Sequence, residues 1–395
     1  MIVDISLICL ASLLAIPIAW LAVEIVSGAL VPSRDSASAV GRACGLIAVL
    51  IPAHNESTGL QPTIADIRPQ LRDGDRILVV ADNCADDTAQ VAASAGAEVV
   101  ERNDLSRIGK GFALDWGVRH FSKDPPDTVV IIDADCRVSS NLLERLGTIC
   151  AATGRPVQAL DLMTAGDNPA INHQVAEFAW RLKNWARPLG LRALGLPCQL
   201  MGTGMAFPWK LISSAKLASA EVVEDLRLGL DLALAGSPPI FCPEAAVTSQ
   251  FPTSRDAATA QRQRWEQGHL ALILNSVPRM VIIALLRRNL PLLALALDLA
   301  VPPLVVLGLL TIAGIVVTGA AFSLGYSVAA FIISVCSFVA LIGAVFIAWL
   351  GYGRDVLPPR AFSAVICFIL AKFGLYRRMA SGNPLPWVRT DRNRR

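Results

Sequence analysis

Apolar residues along this chain fall into runs of two lengths, and the two lengths predict different elements. Long runs cover residues 5–31, 290–321 and 324–350. A helix needs about 20 apolar residues to cross a bilayer core, so each run is expected to span. Pro302-Pro303 should break or bend the second one. A shorter run at 361–375 contains Lys372 and ends in Tyr376-Arg377-Arg378. It reads either as a further span or as a helix lying in the interface. The first run is preceded only by Asp4 and exceeds the roughly 7–15 residues of a signal peptide, so it reads as an uncleaved anchor. Glu24 inside it is costly in lipid and should lie near the interface or face another helix.

Between the long runs the period changes. Residues 46–51, 76–81, 97–100 and 129–132 are short apolar, β-rich runs, and the stretches 85–95 and 110–121 between them have helical length. Strands that are apolar throughout and alternate with helices predict an α/β domain built on a mostly parallel sheet covered on both faces. Ligands of such sheets bind beyond the carboxyl ends of the strands. Residues 52–56, Asp82 and Asp133-Ala134-Asp135 each follow a strand at once, so they are expected on one rim.

Composition supports a membrane protein with a polar domain, at 54% hydrophobic and 17% charged residues. A net charge of +3, with no basic tract interleaved with aromatics, argues against nucleic acid as a partner. Nine scattered cysteines without a Cys-x-x-Cys pair argue against a zinc site or a disulfide framework, which suits a reduced compartment. Arg34 and Arg42 follow the first run, and Arg287 and Arg288 precede the second. The positive-inside rule then puts the central domain in the cytosol and makes the chain a multi-pass protein of the cell's inner membrane.

Five polar clusters could carry chemistry, and each has a plainer reading. Asp133 and Asp135 offer hard oxygen donors for Mg²⁺ or Mn²⁺ on a diphosphate, or form a solvated turn. Asp82 could accept hydrogen bonds from a base or ribose, or close an Asx-turn. Arg107-Ile108-Gly109-Lys110-Gly111 opens a helix, where Lys110 would favour phosphate; it is not a Walker A loop and could be only a basic loop. Glu224-Asp225 begins an apolar helix and offers a general base, although acidic residues are common in a first turn. Gln261, Arg264 and Trp265 lie at i, i+3 and i+4, so a helix shows them on one face. An indole stacks on sugars and an arginine neutralises diphosphate, but both also suit an interfacial helix. The four histidines are not grouped and read as structural. Phe178, Trp180 and Trp185, in a helix-like stretch at 171–187, read as packing or interface residues rather than an acceptor cradle.

Taken in order, IPAHNE at 51–56, VVADNCADDT at 79–88, GKGFAL at 109–114, DAD at 133–135, MGTGMAF at 201–207, VED at 223–225 and QRQRW at 261–265 resemble the family 2 glycosyltransferases. The likeness is to the membrane-embedded synthases similar to cellulose, hyaluronan and chitooligosaccharide synthases. It implies a GT-A fold over residues 44–275, after an anchor at 1–33 and before membrane or interfacial helices at 288–378 and a basic cytosolic tail at 379–395. It also implies roles. Pro52, Ala53, Asn55, Glu56 and Asp82 would hold the base and ribose, and Lys110 and Asp133 would contact the nucleotide. Asp135, with Asp133, would bind the metal. Asp225, beside Glu224, would be the base of an inverting transfer, and Gln261, Arg264 and Trp265 would shape the acceptor and diphosphate site. Ala81, Asn83-Cys84 and Val223 depart from the commoner family residues and bear on base and sugar specificity.

The expected reaction moves a hexosyl or N-acetylhexosaminyl group from a nucleotide-diphosphate sugar to an oligo- or polysaccharide at the membrane, in exopolysaccharide or envelope glycan synthesis. The expected partners are that donor, a glycan or lipid acceptor, membrane lipids and the export machinery of an envelope glycan. The rival readings are transfer of a single sugar to a membrane lipid, and an inactive assembly subunit.

Overall fold

A computed structural model describes residues 1–30, 44–166, 169–252 and 255–361. Arg34, Arg42, most of the 361–375 run and the basic tail lie outside the described residues. The chain divides into two compact units. One is Ser33–Thr164 with Leu196–Gln250, and the other is Met1–Pro32, Ala165–Gly195 and Phe251–Arg395.

The first unit is an eight-stranded sheet. Its strands are β1 (Ile47–Ala53), β2 (Arg76–Asp82), β3 (Glu98–Arg102), β4 (Thr128–Ile131), β5 (Arg137–Val138), β6 (Val157–Thr164), β7 (Met205–Pro208) and β8 (Ile240–Gln250). They lie in the order β3-β2-β1-β4-β7-β6-β8-β5. The four strands expected from the sequence form the parallel half, β3-β2-β1-β4. Parallel pairings outnumber antiparallel ones, as expected, and the other half is mixed. There β7 runs antiparallel to both β4 and β6, β8 is parallel to β6, and β5 is antiparallel to β8. The chain enters β7 through Gly202 and Gly204, at φ +95° and +64°, a conformation open to glycine at no steric cost.

Side chains of β1 alternate between two buried layers, as a period of two requires. Ile47, Val49 and Ile51 pack with Leu60 and Ile64 of the Ser57–Ile67 helix and Leu142 and Leu146 of the Leu142–Thr153 helix. Ala48 and Leu50 pack on the opposite face with Leu114, Val118 and Phe121 of the Lys110–Phe121 helix. Full burial of one such aliphatic side chain contributes about 1.5–3 kcal/mol. Both layers end at the carboxyl rim of β1, β2 and β4, and this fixes where the polar clusters emerge.

The second unit is helical. Among the described residues four helical stretches are long and apolar enough to cross a membrane: Ile2–Ala29, Gln261–Leu286, Leu304–Ser323 and Val328–Tyr352. The second of these was not expected. It continues the Arg255–Leu286 helix that carries the QRQRW stretch, and Gln267, His269, Asn275 and Arg279 interrupt its apolar pattern. Pro302-Pro303 breaks the 290–321 run fully, leaving a ten-residue helix, Leu290–Leu299, that is too short to span. Glu24 faces another helical element, the expected alternative to an interfacial position, with Arg187 donating to it at 2.6 Å. The aromatic stretch forms Ile171–Arg181, a π-helical turn at Leu182–Ala186, and Arg187–Ala193. Phe178 is buried in the apolar cluster of this unit, and the Trp185 ring lies 5.1 Å from that of Tyr352, so both pack within the unit.

Candidate active site

The loops after β1 and β2 are stitched together. Asn55 and Asn83 both take left-handed backbone, φ +54° and +52°, which asparagine tolerates better than most residues. Asn55 Oδ1 accepts from the Ala85 amide at 2.6 Å, and the Asn55 amide donates to Cys84 Sγ at 3.4 Å. His54 Nδ1 donates to the Asp82 carbonyl at 2.7 Å, and the Glu56 amide donates to Thr88 Oγ1 at 2.9 Å. Pro52, Ala53, Asn55, Glu56 and Asp82 therefore stand on the rim formed by the ends of β1 and β2.

Asp82 arrives there already engaged. Its Oδ1 accepts from Arg102 Nη1 at 2.5 Å and from Asn83 Nδ2 at 3.0 Å, and both Asp82 and Arg102 are buried. Arg102 Nη2 also donates to the Arg107 carbonyl at 2.7 Å, which ties β3 to the loop before Lys110. The sequence reading missed Arg102. Its signal lies in the register, since Asp82 and Arg102 are direct partners across β2 and β3.

A second group forms where β4 ends. Lys110 opens its helix after Gly109 at φ +144°, and its ammonium donates to Asp133 Oδ1 and, at 2.8 Å, to the Gly202 carbonyl. The Asp133 amide donates to Thr203 Oγ1 at 3.1 Å. Gly202 also touches Asp225, because a Cβ built on it would lie 3.3 Å from Asp225 Oδ2 and 3.8 Å from Lys110 Nζ. Lys110, Asp133, Gly202 and Asp225 are thus brought together, and a side chain at 202 would fill the space between them. Asp135 sits beside the first turn of the Ser57–Ile67 helix. A Cβ at Gly59 would lie 3.3 Å from Asp135 Cβ and 3.2 Å from Glu56 Oε2. Thr63 Oγ1 lies 2.8 and 2.7 Å from the carbonyls of Ala134 and Cys136 and holds that loop. A cleft lined by Gly111, Lys216, Ser219, Glu221, Glu224 and Asp225 opens next to this group.

The donor set fits a divalent ion that arrives with a diphosphate. Asp133 and Asp135 alternate along one backbone segment and offer hard oxygens. Among the described residues no three acidic, histidine or cysteine side chains gather to hold a metal by themselves. Mg²⁺ commonly takes one or two carboxylates and completes its shell with phosphate oxygens and water.

Lys110 is the cation of this carboxyl-rich group. Burial alone would lower the pKa of Lys110, but the carboxylates of Asp133, Glu224 and Asp225 outweigh it and hold the ammonium charged. Glu224 is pushed up to about 8, first by burial and then by the Asp225 carboxylate, with Lys110 opposing. Glu224 is therefore mostly neutral at pH 7 and ionises as pH rises through about 8. If the anionic donor expected from the sequence binds here, that second negative charge would face it. In the wild type the donor KM is expected to rise above pH 8, and in Glu224→Gln it should stay flat. Initial rates measured across that range would check this, and parallel profiles would rule it out.

Gln261, Arg264 and Trp265 belong to the helical unit and share the Arg255–Leu286 helix, at the spacing that gives them one face. Gln261 is buried, and Arg264 and Trp265 are half-buried. The Trp265 ring lies 5.3 Å from that of Trp180, tilted by 46°, and Trp180 meets Phe251 edge-on at 6.3 Å.

A family model described as "Glycosyltransferase like family 2" matches residues 43–268, more than half of the chain. No curated protein matches. Among solved structures, the mannosyltransferase PcManGT from Pyrobaculum calidifontis, in complex with GDP-Man and Mn²⁺, is 19% identical. That match covers 85% of this chain and 99% of that one, with a TM-score of 0.46. Glucosyl-3-phosphoglycerate synthase from Mycobacterium tuberculosis, in complex with Mn²⁺ and UDP-Glc, is 23% identical over 58% of this chain and 78% of its own, with a TM-score of 0.39. Mannosyl-3-phosphoglycerate synthase from Rubrobacter xylanophilus is 23% identical over 58% and 74%, with a TM-score of 0.38.

Proposed function

The chain belongs to glycosyltransferase-like family 2, and on that premise we propose that it is an inverting, metal-dependent transferase that builds a glycan at the membrane. The observation that carries this reading is the contact of Lys110 with Asp133 and the Gly202 carbonyl, with Asp225 beside the same glycine. A cation held beside a candidate base suits a reaction in which a diphosphate departs while a hydroxyl attacks.

In this reading the acceptor oxygen bonds to the anomeric carbon from the face opposite the diphosphate. Asp225 takes the hydroxyl proton, the carbon–oxygen bond to the diphosphate breaks, and the configuration inverts. Lys110 meets the charge developing on the leaving group. Asp133 and Asp135 would hold Mg²⁺ or Mn²⁺, which supplies Lewis-acid charge to the phosphate oxygens when bound. Pro52, Ala53, Asn55, Glu56 and Asp82 form the base and ribose end. Gln261, Arg264 and Trp265 take the acceptor and diphosphate roles that the QRQRW stretch implies. Four membrane-length helices support an acceptor or product at a bilayer. Arg34 and Arg42, which follow the first apolar run, support a cytosolic sheet unit at the inner membrane.

The same helices are compatible with a lipid that receives a single sugar. Sizing the products made from one labelled nucleotide sugar separates the two, since a ladder marks polymer synthesis and one mobile band marks a glycolipid. Release of pyrophosphate in place of nucleoside diphosphate would reject both. Asp135→Ala is expected to remove the metal-dependent part of donor binding. Calorimetric titration of the donor with and without Mn²⁺ reads it, and an unchanged metal increment would remove Asp135 from the role.

A further inference from the structure

The helical unit buries a cluster of three charged side chains that sugar transfer does not use. Glu24 of the Ile2–Ala29 helix is 0% exposed, Arg187 of the Arg187–Ala193 helix 6%, and Asp298 of the Leu290–Leu299 helix 7%. Arg187 Nε donates to Glu24 Oε2 at 2.6 Å. Its Nη2 donates to Asp298 Oδ1 at 2.5 Å and to the Asp298 carbonyl at 2.7 Å. Glycines let the backbones close over this cluster. A Cβ at Gly190 would fall 1.8 Å from the Glu24 carbonyl oxygen, and one at Gly28 would fall 2.9 Å from the Ala186 carbonyl oxygen. Close approach through small residues is how membrane helices pack.

The charges do not balance. Two carboxyl groups share one guanidinium. The other basic side chains nearby are Lys183, which is exposed with its ammonium 5.8 Å from the Trp180 ring centroid, and His269, whose Nε2 lies 3.1 Å from the Leu299 carbonyl. Both carboxyls pair with Arg187 instead. Glu24 Oε1 is buried and has no hydrogen-bond partner. With both carboxyls ionised the cluster would keep one uncompensated buried negative charge, which folded proteins avoid.

We propose that Glu24 and Asp298 share one proton, so that Glu24, Arg187 and Asp298 form a net-neutral, proton-binding site inside the helical unit. The proton comes from solvent as the unit assembles and returns to it if the cluster opens; no other bond is made or broken. The site makes docking of the N-terminal helix conditional on that proton. It also removes the cost of carrying an ionised glutamate on a membrane-length helix.

The test uses the full chain in nanodiscs, with Glu24→Gln, Asp298→Asn and the double variant. If one proton is shared, either amide replaces the protonated partner, and the remaining carboxylate still pairs with Arg187. Each single variant should then melt within roughly 2 °C of wild type, whereas the double, which strands Arg187, should melt roughly 10 °C lower. A single variant that falls as far as the double would show that both charges are needed. A double variant as stable as the singles would show that Arg187 needs no counter-charge. Infrared spectroscopy gives an independent reading. The wild type should show a protonated-carboxyl C=O band that shifts in D₂O and is missing from both single variants; a wild type without that band overturns the proposal. Stabilisation of the wild type by sodium over choline would assign the site to a metal cation and also overturn it.

Discussion

Asp225→Asn is expected to cut sugar transfer by about 10²–10⁴-fold while leaving donor affinity almost unchanged. Asparagine keeps the shape of the side chain beside Gly202, so the contact surface near Lys110 is preserved and only the proton acceptor is lost. In the wild type burial and the Asp225 charge raise the pKa of Glu224 to about 8, so it is a poor base at neutral pH. The substitution removes the second of those two causes. Glu224 should then ionise at lower pH than in the wild type, and residual turnover should climb toward alkaline pH. Single-turnover measurements with a labelled donor across that range would read both the loss and the slope. Undiminished turnover would dismiss Asp225 as the base, and a matching loss of donor affinity would make it a donor ligand instead.

The part of the molecule that could be read from the sequence is the part whose chemistry is local. The ends of β1, β2 and β4 follow from unbroken apolar runs, and a parallel sheet sends those ends to one rim. The Lys110–Phe121 helix begins and ends where its apolar spacing and Gly109 place it. The mixed half of the sheet was not legible. Gln158 and Asp161 interrupt the apolar pattern of β6, Pro243 and Glu244 interrupt β8, and the pairing of the two shifts register between Ala159 and Leu160. Arg102 was invisible for a different reason, since its tie to Asp82 depends on which residues face each other across two strands. Gly202 could be quoted as part of a motif, but that its missing side chain leaves room between Asp225 and Lys110 is a tertiary fact. The partner of Glu24 lies 163 residues away in sequence. The unexpected membrane-length stretch at Gln261–Leu286 was hidden because its polar residues fall among apolar ones on a continuous helix.

Lys110→Met should lower kcat/KM by about 10²–10³-fold, the range found when one preorganised donor to a developing charge is removed. The side chain does two jobs. Its ammonium neutralises Asp133 while bonding the Gly202 carbonyl, and it lies beside the same glycine as Asp225. Methionine fills the same volume and removes the charge, leaving Asp133 and Asp225 to repel each other and the donor. The loss should therefore appear in both terms. Donor KM should rise because a cation is missing from the ground state, and kcat should fall because the leaving diphosphate gains charge in the transition state. Glu224, deprived of the cation that restrains its pKa, should ionise at still higher pH. Lys110→Arg restores charge but not fit, because the longer, forked guanidinium must enter the space that Gly202 keeps open. It should recover KM more than kcat. If kcat survives in Lys110→Met and only KM changes, the ammonium serves binding alone and the charge on the leaving group is met elsewhere.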